Sequence, residues 1–191
     1  MAHENDNSAT TEFGWEFMVS LIWLVWVLAV AVLSMILWPW AIGSAWEPTS
    51  MKIVRMMIEM AEVGPADIVY DLGSGDGRIV VEAARRRQAR AVGIEADPLR
   101  VLWSRLMIAF FNLRNRTRIV WGNFFHKSIS EATVVTLFLT QRTNQRLKAK
   151  LQQELKPGTK VLSHVWTFDE WLPAKVDTET KIYMYIIGNR S

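Results

Sequence analysis

The chain has 191 residues, with 22 Lys and Arg against 19 Asp and Glu, 50% hydrophobic residues, ten Trp and no Cys. That length suits one domain with an appendage, and the lack of cysteine excludes a disulfide framework, thiolate metal ligation and a cysteine nucleophile. All 22 bases lie after residue 47 beside 14 acids, an excess of +8, whereas residues 1–47 hold five acids, no base and six of the Trp.

Residues 1–16 are polar and acidic and read as a disordered tail. Residues 17–38 are almost wholly Val, Leu, Ile, Ala, Met and Trp, and no charge occurs from Phe17 to Trp46. At about 1.5 Å per residue, 22 residues reach the roughly 30 Å of a hydrocarbon core, so this stretch is expected to be a transmembrane helix. A signal peptide would be shorter, with a basic start, and an interfacial helix would show a polar face. Trp15 and Trp38 stand at its ends, where indole rings favour the headgroup zone. No base precedes the segment, and Lys52 and Arg55 follow it. The positive-inside rule therefore predicts a single-pass protein, its N-terminus outside and residues 48–191 in the cytoplasm. Residues 39–50 read as a linker and 51–191 as the folded domain.

Within that domain, Met51–Val63 reads as a helix closed by Gly64-Pro65. Ile68–Leu72 reads as a buried strand, Arg78–Arg87 as a helix and Ala91–Ile94 as a second strand. Pro98–Leu113 reads as a helix with Pro in its first turn. Ile119–Trp121 and Thr133–Leu139 read as strands, and Asn144–Leu155 as a helix with Leu147, Leu151 and Leu155 in register. Val161–Trp166 and Ile182–Ile187 complete the series. Alternating strands and helices predict an α/β fold, Rossmann-like and doubly wound on a mostly parallel sheet, with ligands at the strand C-termini.

The run Asp71-Leu72-Gly73-Ser74-Gly75-Asp76-Gly77-Arg78 leaves the first strand and opens the first helix of that fold. Its glycines permit positive φ and close ligand approach. A dinucleotide fingerprint would place the third glycine one residue later. Asp71 would also repel a pyrophosphate, yet suits a ligand ammonium. A ligand with an ammonium, a carboxylate and a ribose fits this loop, which describes S-adenosylmethionine. Glu95, at the end of the second strand, suits the ribose hydroxyls, with Asp97 as the alternative acceptor.

Residues 68–97 thus resemble motif I and the acidic second-strand end of class I S-adenosylmethionine-dependent methyltransferases. Pro48-Thr49, Val69–Val80, Ala132–Leu139 and Leu155–Pro173 (LKPGTKVLSHVWTFDEWLP) resemble small prokaryotic protein-lysine methyltransferases. These are related to the mitochondrial enzymes that methylate the ATP-synthase c-subunit, and several carry a membrane helix. The resemblance implies S-adenosyl-L-methionine as cofactor, held by Asp71, Gly73, Ser74, Gly75 and Gly77, with Glu95 on the ribose. It implies Asn123 and Phe124 at the adenine, although Asn123 stands where the family usually has Asp. After the fourth strand, Thr140-Gln141-Arg142-Thr143 replaces the family's proline-containing loop, on the side where substrate enters.

No side chain is read as a sure catalyst. Thr140, His164, Trp166 and Trp171 are positioning candidates: the indoles as walls of an apolar cleft or as edge packing, and His164 as a base or a structural residue. Three scattered His without Cys give no metal-site spacing. The basic clusters carry no aromatic-rich RNA motif, and nucleic acid is not expected as a partner. Membrane-anchored methylation of a protein lysine, on a membrane protein reached laterally across the bilayer surface, is the expected function. Methylation of a lipid or quinone is one rival, and a non-catalytic cofactor-binding anchor that recruits a partner is another.

Overall fold

The structure is a computed structural model in which residues 8–41 and 49–188 are described. The chain divides into two compact units, 1–47 and 48–191.

The described residues of the first unit form one helix, α1, Ser8–Ala41. It starts inside the stretch expected to be a disordered tail, since lengthening a formed helix costs far less than nucleating one. It also continues two residues past Pro39, where the linker was expected to begin. The expected transmembrane helix is not shown. Residues 17–38 are helical, but no helix among the described residues is long and apolar enough to cross a membrane.

The second unit begins with α2, Met51–Met60, capped by the Ser50 hydroxyl on the Ile53 amide. There follow β1 (Ile68–Leu72), α3 (Arg78–Arg87), β2 (Arg90–Glu95), α4 (Pro98–Phe110) and β3 (Thr117–Trp121). A short 3-10 turn at Phe124–His126 leads to β4 (Val134–Leu137), α5 (Gln141–Glu154) and β5 (Lys160–His164). The antiparallel pair β6 (Lys175–Asp177) and β7 (Ile182–Ile186) ends the domain. The sheet order is β3-β2-β1-β4-β5-β7-β6. The first five strands in that order are mutually parallel, and β7 joins β5 antiparallel.

Alternation along the strands builds a core on each face. Val69, Ala91, Ile119 and Val134 meet Met57 of α2, Val80 and Ala83 of α3, and Val101 and Ile108 of α4. On the other face, Leu72, Ile94, Val135 and Val161 pack with Leu147, Leu151 and Leu155, the helical stripe that marked α5 in the sequence. Among the described residues of this unit one helix covers this second face, and Ile129, Phe168 and Tyr185 complete it. Between β3 and β4 the expected alternation lapses, because residues 122–133 form a turn and an irregular connection instead of a helix. The parallel order reverses between β1 and β4, and that switch point is where such sheets present their ligand crevice.

Candidate functional site

The loop after β1 folds as its sequence demands. Gly73, Gly75 and Gly77 have φ of +83°, +55° and +80°, which side chains with a Cβ seldom adopt. Gly77 is also the N-cap of α3 with no side chain to cap it. A Cβ there would stand 3.0 Å from the Ser104 Cβ. Ser104 itself donates to the Gly75 carbonyl at 3.0 Å, tying α4 to the loop. The Gly73 and Ser74 amides both donate to the Ile94 carbonyl at 2.9 and 3.1 Å. Gly75 donates instead to Glu95 Oε2 at 2.8 Å, while Glu95 Oε1 accepts from Asp97 at 2.9 Å.

The acids predicted from sequence therefore come together around this loop. Asp71 is buried at the end of β1 and accepts one hydrogen bond, from Thr136 Oγ1 at 2.8 Å. Burial pushes its carboxyl up to about 7; the Thr136 hydroxyl opposes the rise, and the Glu95 and Asp76 charges add to it. A buried carboxylate so poorly compensated calls for a cation. Glu95 is buried too, and each of its oxygens keeps a lone pair beyond its backbone bond. Ser74 Oγ is buried without a hydrogen-bond partner. Asp97 caps α4, accepting from Leu99 and Arg100; the nearer acid, Glu95, is the one at the loop.

Arg78, the first residue of α3, grips Asp76 through Nε at 2.9 Å and donates from Nη1 to the Thr49 carbonyl at 2.6 Å. Burial would push Asp76 up, but the Arg78 guanidinium overrides it and holds the carboxyl below its usual range. The segment entering α2 is thereby fixed to the glycine loop.

The other predicted residues fall into three groups. Asn123, after β3, is exposed and spends its Oδ1 on the Phe125 amide at 2.9 Å, as a cap of the 3-10 turn. Phe124 is half-buried against Phe125, with ring centroids 4.8 Å apart. After β4, Leu139 reaches the loop, where a Cβ on Gly73 would meet it at 3.2 Å. Thr140, next in line, caps α5 through Thr143. After β5, His164 lies against Phe138, 4.6 Å between centroids, and Trp166 is 43% exposed. Trp171 departs from this group: it stacks on Phe168 at 4.7 Å and 30° and leans on Tyr185, so it is edge packing.

Sequence reasoning passed over several contributors. Thr136 is the one polar residue within the buried β4 (VVTL). Ser104 stands on the buried face of α4, and Asn144, fully buried, donates from Nδ2 to Ser163 Oγ and the Trp166 carbonyl. Each is a polar side chain in an apolar register, which is the signal available beforehand. Val165, at φ +69°, is strained where the chain leaves β5. No cluster of three His, Asp or Glu suited to a metal ion occurs among the described residues.

A family profile for the ANTKMT methyltransferase domain matches residues 71–175, which begin at Asp71 and include the glycine loop, Glu95 and the ends of β4 and β5. The chain belongs to the ANTKMT methyltransferase family. A protein-lysine N-methyltransferase of Saccharolobus islandicus is 45% identical over 148 residues, covering 74% of this chain and 92% of the relative. The ATP-synthase c-subunit lysine N-methyltransferase of Xenopus laevis is 32% identical, over 74% of this chain and 62% of its own length. A crystal structure of an RNA methyltransferase from Salinibacter ruber with S-adenosyl-L-homocysteine superposes at a TM-score of 0.73 and 42% identity, over 76% of this chain and 96% of that one.

This ANTKMT-family chain is a class I, S-adenosylmethionine-dependent methyltransferase, and the site residues fit that cofactor. Asp71 supplies the uncompensated carboxylate, the glycines the open backbone, and Glu95 the free lone pairs. The cofactor supplies a methyl group already activated on a sulfonium. The protein's own part is to hold the donor and to fix where an acceptor stands.

Proposed function

We propose that this methyltransferase acts on a lysine side chain of a protein. The observation that carries the reading is the 45% identity to the Saccharolobus protein-lysine N-methyltransferase across 92% of its length. The chemistry of the strand ends agrees with it. A lysine must present a neutral amine to accept a methyl group, and an apolar, water-poor approach lowers its pKa. Phe138, Leu139, His164 and Trp166 at the β4 and β5 ends supply apolar surface for that approach. Trp166 is the wall residue proposed to meet the acceptor, and Thr140 orders the loop beside it.

The Salinibacter RNA methyltransferase favours a second reading, an RNA acceptor. One experiment separates the two. Cell extract is labelled with radioactive methyl donor and the purified chain, then divided between protease and ribonuclease. Label that survives ribonuclease, is lost to protease and elutes as methyl-lysine after hydrolysis supports the proposal; label lost to ribonuclease overturns it, and label extracted into solvent would mean a lipid or quinone.

We further propose that residues 17–38 anchor the chain in a membrane, with the catalytic domain on the cytoplasmic side and a membrane protein as substrate. The charge-free stretch 17–46 and the bases that begin at Lys52 support this reading. Carbonate extraction of membranes from expressing cells tests it: recovery of the full chain in the supernatant would refute the anchor.

A further inference from the structure

Helix α4 has two apolar faces. Val101, Ser104 and Ile108 are turned into the sheet and buried. At about 100° per residue, Leu99, Leu102, Trp103, Leu106 and Phe110 fall within a sector of roughly 100° on the opposite side. These five are between 43% and 78% exposed. Trp121, 61% exposed, extends the patch from the edge strand β3 and anchors its indole Nε1 on the Ala96 carbonyl at 3.0 Å. A contiguous stripe of this kind differs from the single apolar residues scattered over an ordinary surface, and it marks a contact site.

The charge around it selects the occupant. Arg100 and Arg105 border the stripe on its two sides, and Arg114, Arg116 and Arg118 follow on the way into and along β3. From Pro98 to Ser130 the chain contains five Arg, one Lys and no acid. In a two-fold contact between copies these arginines would face one another, which like-charge repulsion opposes. Three leucines interleave with the rings, so the patch is not the continuous aromatic platform on which successive bases stack. Leucine and aromatic rings framed by arginine match a surface with an apolar interior and an anionic rim.

We propose that the outer face of α4, together with Trp121, docks on an anionic lipid bilayer. The rings and leucines enter the headgroup boundary, and the arginines lie at phosphate level. Trp121 is the register partner of Glu95, and α4 begins at Pro98, directly after Asp97, so docking brings the cofactor end of the sheet to the bilayer. This surface belongs to the folded domain, and its docking depends on neither the lysine reading nor the anchor.

Because the chain has no cysteine, single nitroxide labels can be placed at will. The full-length chain is labelled at Leu106→Cys, at Val25→Cys in α1, or at the exposed control Glu179→Cys. Each is mixed with vesicles of phosphatidylcholine containing phosphatidylglycerol, and with vesicles of phosphatidylcholine alone. Accessibility to oxygen is compared with accessibility to a water-soluble nickel chelate. The expected result at Leu106 is a reversal from nickel-favoured in solution to oxygen-favoured on anionic vesicles, absent at Glu179 and lost on neutral vesicles. The Leu106 label remaining nickel-accessible on anionic vesicles overturns the proposal, as does shielding from both reagents, which would mean a second copy or another protein segment covering the face. The Val25 label reports separately on α1, so failure of the anchor and failure of the α4 surface are distinguishable.

Discussion

Asp71 and Thr136 are register partners on neighbouring parallel strands, and the Thr136 hydroxyl donates to the Asp71 carboxylate at 2.8 Å. This bond crosses the switch point of the sheet and is the one hydrogen bond to the Asp71 side chain among the described residues. Asp71 titrates at about 7 in the fold, against 3.8 when unfolded. Between those values the folded protein holds a proton that the unfolded chain has lost. The group's stabilising contribution is thus full below about pH 4 and is lost as pH rises through about 7. A cationic ligand needs the carboxylate, so cofactor affinity should climb over the same window and level off above it. Calorimetry of S-adenosylhomocysteine binding across about pH 5 to 9 checks this. Asp71→Asn is expected to flatten the profile and weaken binding, and Thr136→Val to shift the rise to higher pH. An unchanged slope in Asp71→Asn would refute the assignment.

Glu95 holds the loop and is placed to hold the ligand. Both of its oxygens carry backbone amides, and Glu95→Gln keeps an acceptor for one of them alone. We expect cofactor affinity to fall about tenfold or more, as charged hydrogen bonds are worth roughly 1.5–3 kcal/mol. Isothermal titration measures it, and affinity equal to that of the unmutated chain would count against Glu95 as the ribose acceptor.

Gly77→Ala combines an unfavourable φ with a Cβ 3.0 Å from that of Ser104. A cost of about 1–3 kcal/mol follows, visible as a lower thermal midpoint without ligand. Ser104→Gly removes the close contact along with its bond to the Gly75 carbonyl, so in that background Gly77→Ala should cost less than in the unmutated chain, leaving the φ strain. If Gly77→Ala unfolds at the unmutated temperature, Gly77 does not hold the left-handed, closely packed position assigned to it.

The two tryptophans after β5 should behave oppositely. Trp171 is stacked in the core edge, so Trp171→Ala is expected to cost about 2–4 kcal/mol of stability and little kcat/KM per folded molecule. Trp166 is more exposed, and Trp166→Ala should leave the melting temperature nearly unchanged while raising KM for the acceptor. Denaturant unfolding with steady-state kinetics on both variants decides, and a stability loss in Trp166→Ala alone would reverse the assignments.

Much of the fold was legible because its punctuation is chemical. The glycine run marks both the end of β1 at Leu72 and the start of α3 at Arg78, and both bounds agree with the structure. Pro98 opens α4 where expected, but the helix stops at Phe110, and Asn112 at φ +55° belongs to the turn that follows. Helix α5 starts three residues earlier than its leucine periodicity suggests, since Thr140 caps a polar first turn that carries no apolar signal. Strand β6 (Lys-Val-Asp) escaped notice because an exposed edge strand of three residues has no buried face to pattern. The cofactor acids could be read from their places after strands. The supports Thr136, Ser104 and Asn144 could not, because their roles depend on which strand and helix lie beside them.

The Arg78 bond to the Thr49 carbonyl has a mechanical meaning. The residue that starts α3 is clamped to a backbone oxygen only two positions from α2, so the glycine loop has a leash running back toward the start of the domain. One guanidinium thus holds both Asp76 of the glycine loop and the backbone that enters α2, so loosening the approach to α2 would also loosen the loop, without any change in the sheet.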